Sequence, residues 1–70
     1  MIEISAPMAA KVFEVKVKPG DQVEEGQEVL VLEAMKMEMP IAAEEAGTVK
    51  EVRCAVGEAV EAEAVLVVLE

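Results

Sequence analysis

Apolar positions in this chain fall into short runs of β-branched residues, and the runs come twice. Val12, Val15 and Val17 are followed by the unbroken Val29-Leu30-Val31-Leu32; Val49, Val52 and Cys54 are followed by Val65-Leu66-Val67-Val68-Leu69. Valine is stiff about χ1 and suits a pleated surface, so such runs favour strands. Turn residues bound them: Pro19-Gly20-Asp21, Gly26, Gly47 and Gly57. The pattern predicts strands over 2–6, 11–17, 28–34, 37–43, 48–54 and 65–69, with short strand-or-turn segments over 22–27 and 59–64. The loops are 7–10 and 44–47, and the turns 18–21 and 55–58. Alanine and glutamate across 58–64 pull toward helix, but the strand pattern around them prevails. Alternation fails between Val12 and Val15 and again between Val49 and Val52. A bulge or bend is therefore expected near 13–14 and 50–51.

Laying residues 1–33 over 38–70 aligns the two sets at an offset of 37. Ile4 falls on Ile41, Ala6 on Ala43, Val12 on Val49, Gly20 on Gly57, Val23 on Val60, and Val31-Leu32-Glu33 on Val68-Leu69-Glu70. Two structural halves of one kind follow from this repeat. Each half lacks one glycine that the other keeps: Gly26 falls on Glu63, and Gly47 on Ala10. Gly26 and Gly47 read as bends, and strain or reshaping is expected where their partners stand. Short, evenly spaced strands point to a small all-β sandwich or barrel, simplest as two halves about a pseudo-twofold. The joint at residues 34–37 is then equivalent to the gap between the chain ends. The termini are expected together at one end of the domain, with the joint at the other.

Seventy residues make one domain, 1–70, near the lower limit for a self-sufficient core. One cysteine and no histidine exclude a disulfide framework and an ordinary Cys/His zinc site. Stability must come from architecture, and closing a sheet on itself removes its exposed edges. A net charge of −9 opposes nucleic acid and anionic membranes, both of which need cationic patches. Glu3 and Pro7 interrupt any leader-like start, no apolar run approaches spanning length, and the single thiol points to the cytoplasm.

Catalytic arrangements are hard to assemble. Histidine is absent, Ser5 is the only serine, and no phosphate-binding glycine loop is present. Cys54 takes the place of Val17 in the repeat and reads as a small core residue. The many carboxylates read as solvated faces. What remains is Lys36, within Glu33-Ala34-Met35-Lys36-Met37 at the joint of the halves. A tight two-residue hairpin needs φ > 0 and usually carries Gly, Asn or Asp; Ala-Met-Lys-Met has none. Three methionines at 35, 37 and 39 would be exposed around the lysine, against their ordinary burial.

Glu33-Ala34-Met35-Lys36-Met37 resembles the biotin attachment motif of biotinyl (biotin carboxyl carrier) domains, with the lysine as acceptor. The resemblance extends over the whole chain. Val15-Lys16-Val17-Lys18-Pro19-Gly20-Asp21-Gln22-Val23 with Gly26-Gln27 looks like the first half of that family, and Ile41, Ala43, Gly47-Thr48-Val49, Gly57 and Val60 like its second. The chain departs from it at Ala10 and Glu63, where glycine is usual, and at Glu44, where proline is common. No thumb insertion follows residue 17.

The resemblance implies a flattened β-barrel, a barrel-sandwich hybrid of two four-stranded antiparallel sheets with internal pseudo-twofold symmetry. Lys36 would be exposed in the hairpin turn joining the halves, with Ala34, Met35 and Met37 as flanking recognition residues. By analogy with lipoyl relatives, the loop Pro7-Met8-Ala9-Ala10 would lie beside it. The implied cofactor is biotin, linked to Lys36 by a biotin protein ligase. The implied partners are biotin carboxylase and carboxyltransferase or decarboxylase components of a carboxylase, decarboxylase or transcarboxylase, and the domain itself is non-catalytic. A lipoyl carrier is the alternative, though lipoyl domains usually carry Asp-Lys-Ala at the acceptor; an unmodified adaptor of the same fold is another.

Overall fold

The computed structural model describes residues 2–70, in which every regular element is a strand: β1 (Ile2–Ser5), β2 (Ala10–Val15), β3 (Gln22–Val23), β4 (Glu28–Ala34), β5 (Met37–Ala42), β6 (Gly47–Val52), β7 (Ala59–Val60) and β8 (Val65–Leu69). They form two antiparallel four-stranded sheets, ordered β1-β8-β6-β3 and β5-β4-β2-β7. Adding 37 to the residue numbers converts β1 to β5, β2 to β6, β3 to β7 and β4 to β8. It thereby turns one sheet order into the other, strand for strand.

Backbone hydrogen bonds outside the ladders repeat the relation. The Ala6 N–H donates to the Ala64 carbonyl and the Ala43 N–H to that of Gln27, each at 2.9 Å. Val12 donates to Glu58 and Val49 to Asp21, each at 2.8 Å; Gly20 donates to Val49 and Gly57 to Val12, also at 2.8 Å. All six bonds join one half to the other. The halves are interleaved, each sheet drawing strands from both.

The core lies between the sheets and draws on both halves, the first more than the second. Ile4, Val17 and Val23 are buried where their mates Ile41, Cys54 and Val60 are only partly so. Val12, Leu32, Val49 and Leu69 are buried symmetry mates, as are Ala6 and Ala43. Both predicted bulges are present. Val12 pairs Leu32 but Glu14 pairs Val31, leaving Phe13 as the extra residue; Val49 pairs Leu69 but Glu51 pairs Val68, leaving Lys50. A second pair of bulges sits at Val29 and Leu66. These let consecutive residues, Val29-Leu30 and Leu66-Val67, all join the core, which strict alternation forbids. Val31 and Val68 turn away from that core cluster, although they too are covered.

β4 and β8 coincide with the predicted spans, while several other strands end differently. β2 and β6 begin one residue earlier than predicted and stop at Val15 and Val52, short of Val17 and Cys54. Beyond them only single bonds follow, from Lys16 N–H to the Val29 carbonyl (2.9 Å) and from Arg53 N–H to that of Leu66 (2.8 Å). Val17 is nevertheless buried, and Cys54 is half-buried against the core. Burial pushes the Cys54 thiol pKa upward, and the nearby Glu58 carboxylate adds to that.

The two missing glycines resolve differently. Glu63 stands at φ 70° where its mate Gly26 stands at φ 84°. The bend is strained, yet its bond survives: Glu63 N–H donates to Ala6 at 2.7 Å as Gly26 N–H donates to Ala43 at 2.8 Å. Gly47 corrects the expectation of a bend, because it opens strand β6. A Cβ there would lie 3.2 Å from the Glu70 carbonyl oxygen and 3.4 Å from the Leu69 Cβ, so close approach of the chain is what favours glycine.

Candidate functional site

Strands β4 and β5 run antiparallel down to the pair Ala34–Met37, leaving two residues to turn the chain: Met35 and Lys36. Met35 has φ 53° and Lys36 φ 65°. Positive φ at both central residues is the requirement of a type I′ turn, whose twist matches that of the flanking strands. Left-handed backbone costs a residue with a Cβ roughly 1–2 kcal/mol. Asn-Gly would adopt the same turn with less strain.

The turn aims Lys36 into solvent. Among the described residues its ammonium makes no ion pair or side-chain hydrogen bond. Lys16, in contrast, bonds Glu28 at 2.8 Å, and that carboxylate holds the Lys16 pKa above the usual lysine range. Met35 and Met37 are 89% and 69% exposed, the two highest values among the exposed large apolar side chains. Met39 departs from expectation: it is partly buried and packs against the core, because β5 alternation turns it inward. Below the turn, Glu33 pairs across the sheet with Glu38 on one side and Lys11 on the other.

Beside the turn lies an open groove of about 660 Å³. Met8, Ala9 and Ala10 form one wall, Ala34 and Met35 a second, and Ala59 and Val60 a third, with Lys11, Glu33 and Glu61 among the lining residues. The expected loop over 7–10 thus does flank the hairpin. The β7 wall went unanticipated in the sequence. Its signal was available, since the β3 segment of the repeat maps onto 59–60, but the strand it pairs with could not be read there.

These residues fit a covalently attached group. A solvent-directed amine stands on a two-residue turn, no side chain among the described residues pairs with it, and an apolar surface adjoins it. The family model described as a biotin-requiring enzyme matches residues 2–69. The chain belongs to the biotin/lipoyl attachment family. It is 56% identical over 50 residues to the biotin/lipoyl attachment protein of Bacillus subtilis (strain 168), covering 71% of this chain and 68% of that protein. It is 49% identical over 67 residues to the mitochondrial propionyl-CoA carboxylase alpha chain of Homo sapiens, covering 96% of this chain but 9% of that one.

The lipoyl domain of the Azotobacter vinelandii 2-oxoglutarate dehydrogenase complex superposes with a TM-score of 0.85 at 26% identity, covering all of this chain and 96% of its own. Fold alone therefore does not separate biotin from lipoyl carriers. The relatives and the family description support a biotin carrier domain, and the lipoyl alternative has no better support.

Proposed function

We propose that Lys36 is the residue that receives biotin, and that the domain then serves as a mobile carrier for a biotin-dependent carboxylase or decarboxylase system. The observation that carries this is the turn itself: a strained pair, Met35 and Lys36, holding an unpaired amine away from the sheets. In its neutral form the Lys36 amine attacks the activated valerate carbonyl presented by a ligase. An amide bond forms, the activating group leaves with its bonding electrons, and the nitrogen's surplus proton passes to solvent. Modification removes one of six basic side chains from an already acidic surface. Biotin, when attached, supplies the chemistry of carboxyl transfer.

The chain's own contribution is positional. β4 and β5 make a stiff stalk, and the hairpin keeps Ala34, Met35 and Met37 in one arrangement for a ligase to read. Tethering raises the effective concentration of the carried group at both active sites of a partner system. Carboxylase-type partners are favoured by the propionyl-CoA carboxylase relative and by the gamma subunit of a glutaconyl-CoA decarboxylase, 55% identical over 40 residues. The acidic surface matches partners with basic clefts, and the lone half-buried thiol fits a reducing, cytoplasmic setting.

Intact mass after incubation with a biotin protein ligase, biotin and ATP tests the assignment. A single biotinyl gain, absent in Lys36→Arg, is expected. A gain that persists in Lys36→Arg, or one of lipoyl size with a lipoyl ligase alone, overturns it.

A further inference from the structure

The internal repeat supplies a control for the groove beside the hairpin. A depression lined by Gln22, Val23, Glu24, Gln27, Ala46 and Gly47 occupies the repeat-equivalent place in the molecule. Where the two linings share a position, Ala59 stands in place of Gln22; Met8, the repeat mate of Glu45, joins the lining only at the hairpin end, and Gln27 only at the other. The strand framework is equivalent, and the groove beside Lys36 presents Met8, Ala59 and Met35 where its counterpart presents Gln22 and Gln27. Val60 is also less covered than its mate Val23, which is 3% exposed, so apolar surface lies open at the hairpin end.

We infer that this groove is a resting cradle for the biotinyl group carried on Lys36, an inference that rests on the attachment proposed above. The occupant is specified by the tether: Met35, next in sequence to Lys36, is one wall, so a group on that amine is held close beside this surface. The volume lies within the range of small-ligand sites. Its chemistry is divided as biotin's is. Met8, Ala59, Val60 and Met35 suit the methylene chain and the sulfur-containing ring, thioether against thioether and alkyl. Lys11 at the rim suits the ureido oxygen, and the Glu33 and Glu61 carboxylates suit the ureido N–H groups. Because the group is tethered, its effective concentration is in the range of millimolar, and weak contacts suffice to hold it. A docked group is shielded from competing reagents and must be released to enter a partner's active site.

The test uses the full chain, first brought to complete biotinylation as judged by intact mass. Two-dimensional NMR should then show contacts between the ring protons of biotin and the methyl groups of Met8, Ala59 and Val60. Capture by avidin reports the undocked fraction. The double variant Met8→Glu with Ala59→Gln, which puts the side chains of their repeat mates at two exposed positions, should be captured about fivefold faster than the unaltered chain. Full biotinylation with perturbations confined to residues 35–37, and equal capture rates, overturns the cradle and leaves the carrier function standing. Failure to gain the biotinyl mass overturns both.

Discussion

At one end of the domain, residues 8–10, strand β7 and the β4–β5 turn surround an apolar groove; at the other, Ala46, Gly47 and strand β3, with Glu24 and Gln27, surround a more polar counterpart. The two ends share strand order, bulge positions and cross-half hydrogen bonds. What distinguishes them is that one end carries a hairpin between the halves, and at the other Gly47 meets the backbone of Glu70. Positions doing the same structural job have stayed alike: Val12 and Val49, Leu32 and Leu69, Gly20 and Gly57. Positions that differ in chemical kind, such as Met8 and Glu45 or Phe13 and Lys50, are exposed. Buried mates that differ, Val29 and Leu66 or Leu30 and Val67, exchange one aliphatic side chain for another. Symmetry in the core therefore reports folding, and its loss on the surface reports use.

The strongest way to break this comparison is to cut into the shared core. Leu32→Ala and Leu69→Ala remove fully buried symmetry mates, and each should cost about 3–5 kcal/mol. A core this small supplies little more than that, so both variants should be largely unfolded by circular dichroism at room temperature. A folded Leu69→Ala beside an unfolded Leu32→Ala would mean the halves are unequal in the core.

Exchanging the mismatched bend residues should have smaller, opposite effects. Gly26→Ala places a side chain at φ 84° with nothing within 4 Å to clash, so its cost is conformational and about 1 kcal/mol. Glu63→Gly relieves strain at φ 70° and should gain about 0.5–1 kcal/mol. For a domain of this size the midpoints should move by about 4 °C or more in opposite directions. Movement in the same direction would show that the two bends are not equivalent.

Met35→Asn sharpens the contrast at the hairpin. Asparagine accepts left-handed backbone readily, so thermal stability should rise by about 0.5–1 kcal/mol. The rate of ligase-dependent biotinylation should fall, because an exposed thioether is lost from the recognised turn. Faster modification together with higher stability would argue that the strain serves no purpose.

The smallest effect concerns Cys54, the half-buried counterpart of Val17. Burial, with Glu58 assisting, raises the folded thiol's pKa above its unfolded value. Protonation therefore favours the folded state: this stability is complete below the unfolded thiol pKa and is lost as pH rises through the folded one. Urea melts should register a slight loss over that alkaline window, and Cys54→Val should abolish the loss. An unchanged pH dependence in Cys54→Val would assign it to other groups.

Much of the fold was legible because two signals agreed. Strand faces came from the spacing of Val12, Val15 and Val17 and its recurrence at 49–54; both β2 and β6 bulges followed from the same break in alternation. The strained turn at Met35-Lys36 was legible because a two-residue turn without Gly, Asn or Asp is anomalous. Met39 was misjudged, since adjacency in sequence placed it with its exposed neighbours whereas β5 alternation turns it to the core. Gly47 was misjudged too: a glycine demanded by crowding from Glu70 looks the same in sequence as one demanded by a bend.

The sequence by itself determined the repeat, the strands and the bulges, set by local sterics and by which face of a strand is apolar. The left-handed Met35-Lys36 backbone is imposed by the β4–β5 register against local preference. Tertiary structure alone decided that β3 pairs β6 and β7 pairs β2, so that each sheet is built from both halves. It also brought Ala59 and Val60 to within a groove's width of Met8 and Met35. Periodicity states which side of a strand is buried. Its partner depends on closing long loops against a common core, and no local pattern encodes that choice.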